Sequence, residues 1–351
     1  MKASIDIGTN TVLLLIAEKD DLGGLRVIRE EQRVPRLGRG VDTDRTLHPG
    51  SMARVIEALR EYKGMIEAAS SRYGAGDVSP VVTATSAVRD AANRDEFMKM
   101  VYEATGWKIR LLSGDDEANA TFRGAVRSLP ATLVSKYDDA IVLDIGGGST
   151  ETAFGSIKPT DEGDSEKETS ASASTSELKP PSDYRSVDAG CVRFTERWLR
   201  DPENTGDTNP EGSYIPSQEQ VDACRKDAFK ELEQINHIRT AVEVKRVRGR
   251  KPVAIGVAGT VTSLAYMHLG LSGPFSSEVI NGTVLSRKDI SKWLEYASAN
   301  SPGQMTKDWP EVMSGRADIV LAGLIILDAF MEFMSLDEMV VSTGGIRHGV
   351  L

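Results

Sequence analysis

The tripeptide Asp-Ile-Gly occurs twice, at residues 6–8 and 144–146, and each copy closes an apolar run and opens a turn rich in Gly, Ser or Thr. Asp6 and Asp144 stand 138 residues apart. A strand, a glycine turn and a returning strand that recur at such a distance describe one hairpin unit built twice. Residues 3–7, 12–18 and 25–32 read as a three-stranded meander, and the pattern restarts with strands at 140–145 and 150–155 and strand character again at 184–188. Between the copies, Met52, Val55, Ile56, Leu59, Met65 and Ile66 recur at helical spacing over 51–72. A strand at 81–84, a helix at 94–105, a strand at 108–112 and a helix beginning near Asp115 follow. A helix is expected at 219–242, with strands at 253–257 and 339–342. Alternating helices and strands give an α/β layer. With 351 residues, and about 150 to a domain, the chain divides into two domains around a cleft. The boundary falls near 127–136, giving domains of 1–130 and 131–351.

One segment breaks the pattern. Residues 157–182 contain K-P-T-D-E-G-D-S-E-K-E-T-S-A-S-A-S-T-S-E-L-K-P-P, with almost no large apolar side chain to offset the entropy of ordering. This reads as a disordered insertion within a hairpin, and 201–217 as a second loop.

Several functional classes are excluded by composition. The formal net charge of −10 argues against a general nucleic-acid binder. The apolar run 319–327, bounded by Asp318 and Asp328, is too short to span a bilayer. An acid and turn formers in the opening M-K-A-S-I-D-I-G leave no apolar signal stretch, so a cytoplasmic protein without membrane association is expected. Only Cys191 and Cys224 occur, with neither C-x-x-C nor a nearby His, which fits neither a disulfide framework nor a thiolate metal site.

Four strand ends open into turns that carry Gly with Ser or Thr: D-I-G-T-N-T (6–11), D-I-G-G-G-S-T-E (144–151), G-V-A-G-T-V-T (256–262) and S-T-G-G-I-R (342–347). Glycine lets backbone N–H groups approach an anion, and hydroxyls add donors. Any one such loop can be only a tight turn; four together, two led by a strand-end Asp, favour a shared phosphate site. Gly8, Thr9, Asn10, Thr11, Gly146, Gly147, Gly148, Ser149, Gly259 and Thr260 are the candidate phosphate-binding residues. Neither the dinucleotide fingerprint nor the Walker loop is present. A carboxylate beside bound phosphate needs a divalent cation between them, so Asp6, Asp144 and Glu151 are candidate ligands of Mg2+. Two basic clusters, Arg26, Arg29, Arg33, Arg36 and Arg39, and Lys245, Arg246, Arg248, Arg250 and Lys251, suit a track for a polyanion or, equally for the second, solvated loop charges.

In order along residues 6–351, D-I-G-T-N-T, A-T-S-A-V-R-D-A-A-N (84–93), L-S-G-D-D-E-A (112–118), D-I-G-G-G-S-T-E, G-V-A-G-T and S-T-G-G-I-R-H-G-V-L resemble the exopolyphosphatase and guanosine pentaphosphate phosphohydrolase family. That family lies within the actin, heat-shock chaperone and sugar-kinase fold superfamily. The resemblance implies two ribonuclease-H-like domains facing each other across a cleft. It also implies that Glu117 positions and activates the attacking water and that Arg89 contacts the phosphate chain. From the residues alone, Glu117 reads equally as one acid of a helix start capped by Ser113. Asp116 stands where the family pattern usually has Glu. The expected activity is Mg2+-dependent removal of the terminal phosphate of inorganic polyphosphate. Guanosine pentaphosphate hydrolysis, or a non-catalytic alarmone- or nucleotide-binding regulator, is the alternative. Whether the chain forms a homodimer is left open, and the C-terminal accessory domains of longer relatives are absent from this sequence.

Overall fold

Eleven strands form two sheets in a computed structural model that describes residues 1–19, 25–158, 178–203 and 212–351. The strands are β1 (Lys2–Ile7), β2 (Val12–Lys19), β3 (Leu25–Arg33), β4 (Val81–Ala84), β5 (Ile109–Leu111), β6 (Asp139–Ile145), β7 (Thr150–Ser156), β8 (Asp183–Val187), β9 (Val253–Val257), β10 (Val284–Ser286) and β11 (Glu338–Val341). Most of the expected insertion at 157–182 lies outside the described residues.

The first sheet has the order β3-β2-β1-β4-β5, and the second, read from its other edge, β8-β7-β6-β9-β11-β10. Each is a three-stranded antiparallel meander continued by two parallel strands, to which the second sheet adds the antiparallel edge strand β10, so the duplication extends well beyond three residues. Register agrees too. Gly8 N donates to Thr11 O at 2.9 Å, and Gly146 N donates to Ser149 O at 2.9 Å, closing the two hairpins in the same way.

Central strands covered on both faces carry no alternation, and β6 is buried at all seven positions. The helices Pro49–Tyr73 and Arg94–Thr105 bury Leu59, Tyr62, Phe97 and Val101 against Ile5, Leu14 and Val82 of the first sheet. One face of the second sheet, through Ile141 and Leu143, shares a core with the helices Gln218–Leu232, Arg287–Ala299 and Ala317–Phe333. The apolar run 319–327 lies in the last of these, a helix buried almost all round. No helix among the described residues is long and apolar enough to cross a membrane.

Two expectations change, and one helix packs across the expected boundary. The helix expected at 219–242 is two, Gln218–Leu232 and Asn236–Val247, joined by a 3₁₀ turn at Glu233–Ile235 that rephases the chain so that Ile235 and Ile238 both stay buried. The glycine turn expected after β9 is the first turn of a helix, Ala258–His268, entered through Ala258 at φ 65°. A boundary at residue 130 leaves the helix Gly114–Ser128 with the first sheet, yet Phe122, Ala125 and Val126 of that helix pack on Val142, Ala153 and Ile255 of the second. The chain end locks this helix from the other side. A Cβ on Gly124 would stand 2.8 Å from the Gly345 carbonyl carbon and 3.0 Å from Gly349 N, so only glycine permits the approach. Ser4 Oγ donates to Arg347 O at 2.7 Å, tying the same end to β1.

Candidate active site

The two hairpin tips meet. Thr9 Oγ1 and Ser86 Oγ lie 3.1 Å apart, and a Cβ built on Gly147 would stand 2.7 Å from Thr9 Cβ. A Cβ on Gly148 would stand 2.7 Å from Ser86 Oγ. Around this contact opens a cavity of about 1490 Å3 lined by both tips. It brings together Asp6, Gly8, Thr9, Asn10, Thr11, Glu117, Asp144, Gly146, Gly147, Ser149, Gly259 and Thr260 of the expected residues. Gly148, Arg89 and Glu151 are not among the lining residues.

Each carboxylate is placed by its element. Asp6 and Asp144 end β1 and β6, and Glu151 faces Asp144 across the second hairpin. Thr83 Oγ1 lies 3.3 Å from Asp6 Oδ1, Thr121 Oγ1 lies 3.3 Å from Asp144 Oδ2, and Ser186 Oγ donates to Glu151 Oε1 at 2.6 Å. Glu117 projects from the first turn of the helix Gly114–Ser128, whose start is fixed by Ser113 Oγ accepting from Asp116 N at 3.1 Å. The Asp116 carboxylate in turn accepts from Ser113 Oγ at 2.9 Å. Asp116 itself is exposed and pairs with Arg110.

Burial raises the pKa of all four acids, and acidic neighbours add to the effect at Asp6, Glu117 and Asp144. Burial lifts Asp144 to about 8, with Glu151 and then Asp6 adding to the effect, and burial lifts Asp6 to about 6 against the opposing charge of Arg347. Glu117 is raised well above the usual carboxylate range by burial and by Glu151, and Arg89 opposes this. Glu151 is raised by burial, and the Ser186 hydroxyl resists it. The cluster therefore favours a cation. Its donors are the hard oxygens that Mg2+ takes, and among the described residues no three acid, His or Cys side chains form a group that could hold a metal ion by themselves.

Arg89 stands next to the candidate water-activating residue. Its Nη1 lies 3.3 Å from Glu117 Oε2 and donates to Leu112 O at 3.0 Å, so in this structure it holds the glutamate. The basic track is also smaller than expected. Of the first cluster, Arg26 and Arg29 line the cavity, and both are paired, with Glu18 and Glu31. In the second cluster Lys245 and Arg250 pair with Asp139, and Lys251 with Glu338, away from the cavity. In contrast, Arg316 went unrecognised in the sequence. It lines the cavity and donates from Nη1 to Ser263 Oγ at 3.1 Å and, more weakly, to Gly259 O at 3.3 Å. Its one signal is a cation three residues before the start of the longest apolar run.

A model of the Ppx/GppA phosphatase family matches residues 15–351. The chain belongs to this family. Within it, exopolyphosphatase 2 of Mycobacterium tuberculosis is 30% identical, with 99% of this chain matched to 96% of the relative. The bifunctional 3-dehydroquinate synthase/phosphatase of Fusobacterium nucleatum is 29% identical over all of this chain, which spans about half (46%) of that relative. The crystal structure of the Aquifex aeolicus Ppx/GppA family member superposes with a TM-score of 0.69 at 26% identity, covering 99% of this chain and 95% of that one. Family membership accounts for the paired sheets and for the order of the glycine-rich motifs.

Proposed function

We propose that this Ppx/GppA family member hydrolyses the terminal phosphoanhydride of inorganic polyphosphate. The observation that carries the reading is the head-on contact of the two Asp-Ile-Gly tips beside Glu117 in one cavity. Backbone N–H groups of both turns, and the free N–H groups that open the helix Ala258–His268, supply donors for phosphate oxygens from three directions. Arg316 adds a half-buried cation on the same wall. Glu117 accepts a proton from a water as that water's oxygen bonds to the terminal phosphorus, and the bridging P–O bond breaks to release orthophosphate and a chain one unit shorter. Arg89 draws Glu117 toward its charged, proton-accepting form. Phosphoryl transfer requires little beyond such alignment and neutralised charge. Asp6 and Asp144 would hold Mg2+ jointly with the substrate, and Glu151 behind them adds negative charge; the bound ion would screen the phosphate oxygens.

Guanosine pentaphosphate ends in the same anhydride and is the alternative substrate. A cytoplasmic setting suits the two buried free cysteines. The test is phosphate release from tripolyphosphate, long-chain polyphosphate and guanosine pentaphosphate, each with Mg2+ and with excess chelator. Mg2+-dependent release from polyphosphate is expected. Release from the nucleotide alone would reassign the substrate, and no release from any of the three would refute a hydrolase.

A further inference from the structure

The contact between the two phosphate turns is pinned from behind by a side chain that no motif singled out. Arg193 follows β8 in the short helix Cys191–Phe194, and its side chain is only 8% exposed. Its Nε donates to Gly148 O at 2.7 Å, within the second glycine turn. From the same guanidinium, Nη1 pairs with Asp42, and Nη2 lies 3.2 Å from Asp90 Oδ2. Asp42 lies in the helix Val41–Asp44 and Asp90 ends the helix Ser86–Asp90, both following strands of the first sheet. One planar group thus joins the turn of one half to two helices of the other.

Three neighbours make the join rigid. Gly190 lies flush against Gly147 and Gly148, leaving no space for a Cβ. Glu196 Oε1 accepts from Gly40 N at 3.0 Å, and Arg197 Nη2 reaches Asp42 at 3.3 Å. Asp90 in turn lies 3.9 Å from Arg89 Nε, and Arg89 holds Glu117. Charges of alternating sign therefore run from Glu117 through Arg89, Asp90, Arg193, Asp42 and Arg197 to Asp227.

We infer that Arg193 is a positioning residue that sets the spacing between the two phosphate-binding turns, through Gly148 on one side and Asp42 and Asp90 on the other. The inference rests on the phosphohydrolase reading for its effect on turnover, but not for its effect on the turns. A lysine carries the charge to the aspartates, but a single ammonium cannot reproduce the fork that also reaches the Gly148 carbonyl. A glutamine carries no charge. Because both turns would hold phosphate before and during reaction, loosening them acts mainly on substrate affinity.

The test compares wild type, Arg193→Gln and Arg193→Lys by tripolyphosphate kinetics and by hydrogen exchange of peptides spanning 144–151 and 84–91. For Arg193→Gln, KM should rise about ten-fold with kcat changed less than about three-fold, and exchange should quicken in those two peptides alone. Arg193→Lys should recover part of both effects. If the glutamine variant fails to fold, the lysine variant carries the same comparison. Unchanged KM with unchanged exchange would overturn the inference. So would faster exchange spread through the whole chain with kcat and melting temperature falling together, which marks a general structural role. Should wild type release no phosphate, the functional reading fails, and exchange confined to the two peptides still decides for or against the pin.

Discussion

Replacing Gly147 by alanine puts the meeting of the hairpin tips to a direct test. The added Cβ would lie 2.7 Å from Thr9 Cβ, 2.8 Å from Thr9 Cγ2 and 3.2 Å from Val192 Cγ2. Ordinary contact begins at 3.4 Å, so relief against Thr9 Cβ alone needs 3.4 minus 2.7, or about 0.7 Å of separation. Thr9 Cβ is attached to the backbone of the first turn, and no rotamer change moves it away. The two tips must part. Misplacing reacting groups by about 1 Å can cost around 100-fold, so kcat/KM for tripolyphosphate should fall between about 10- and 100-fold. Overpacking of this kind costs about 1–3 kcal/mol of stability, read as a lower urea midpoint at unchanged slope. Thr9→Gly removes the opposing Cβ, so Gly147→Ala should cost less in a Thr9→Gly background than in wild type. Wild-type kcat/KM in Gly147→Ala, or strictly additive losses in the double variant, would refute the head-on contact as the determinant of the grip.

Other outcomes follow from the acidic cluster. Glu117→Gln should lower kcat by about 100- to 10,000-fold, the range for losing a positioned proton acceptor, with little change in KM. The same variant should melt higher than wild type, because it removes an acid whose charged form burial and the neighbouring carboxylates disfavour; a lower melting temperature would speak against that electrostatic account. For Asp144 the folded protein raises the carboxyl from 3.8 to about 8. It therefore binds the proton more tightly when folded, and the resulting stability, complete below pH 4, is lost as pH rises through about 8. In chelated buffer, the melting temperature of Asp144→Asn should consequently gain on wild type between pH 5 and 9, and a constant difference would exclude the raised pKa.

Much of this architecture was legible in the chain because it rests on local pattern. Strands β4 and β9 and the helix Arg94–Thr105 lie at the residues their patterns indicated, bounded by turn formers such as Gly106. Legibility failed where packing overrode local signals. The 3₁₀ turn at Glu233–Ile235 interrupts a continuous helical pattern, and nothing local marks it. The glycine of G-V-A-G-T looked like a turn, but it lies inside a helix start that packs against Arg316. The helix bearing Glu117 follows strands of the first sheet, yet its apolar face fits the second.

The duplicated hairpins, their Asp-Ile-Gly tips and the glycine-rich chemistry are written in residue order, since a strand end and the turn after it involve neighbours a few positions apart. The arrangement that makes them a site is not. Thr9 against Gly147, Arg89 on Glu117, Arg193 between Gly148 and two aspartates, and Arg316 in the cavity wall all join residues 28 or more positions apart. Such pairings arise only when two sheets and their helices bury their apolar faces together. The same burial brings four carboxylates into one desolvated cluster and so raises their proton affinities, a property that no residue among them has alone.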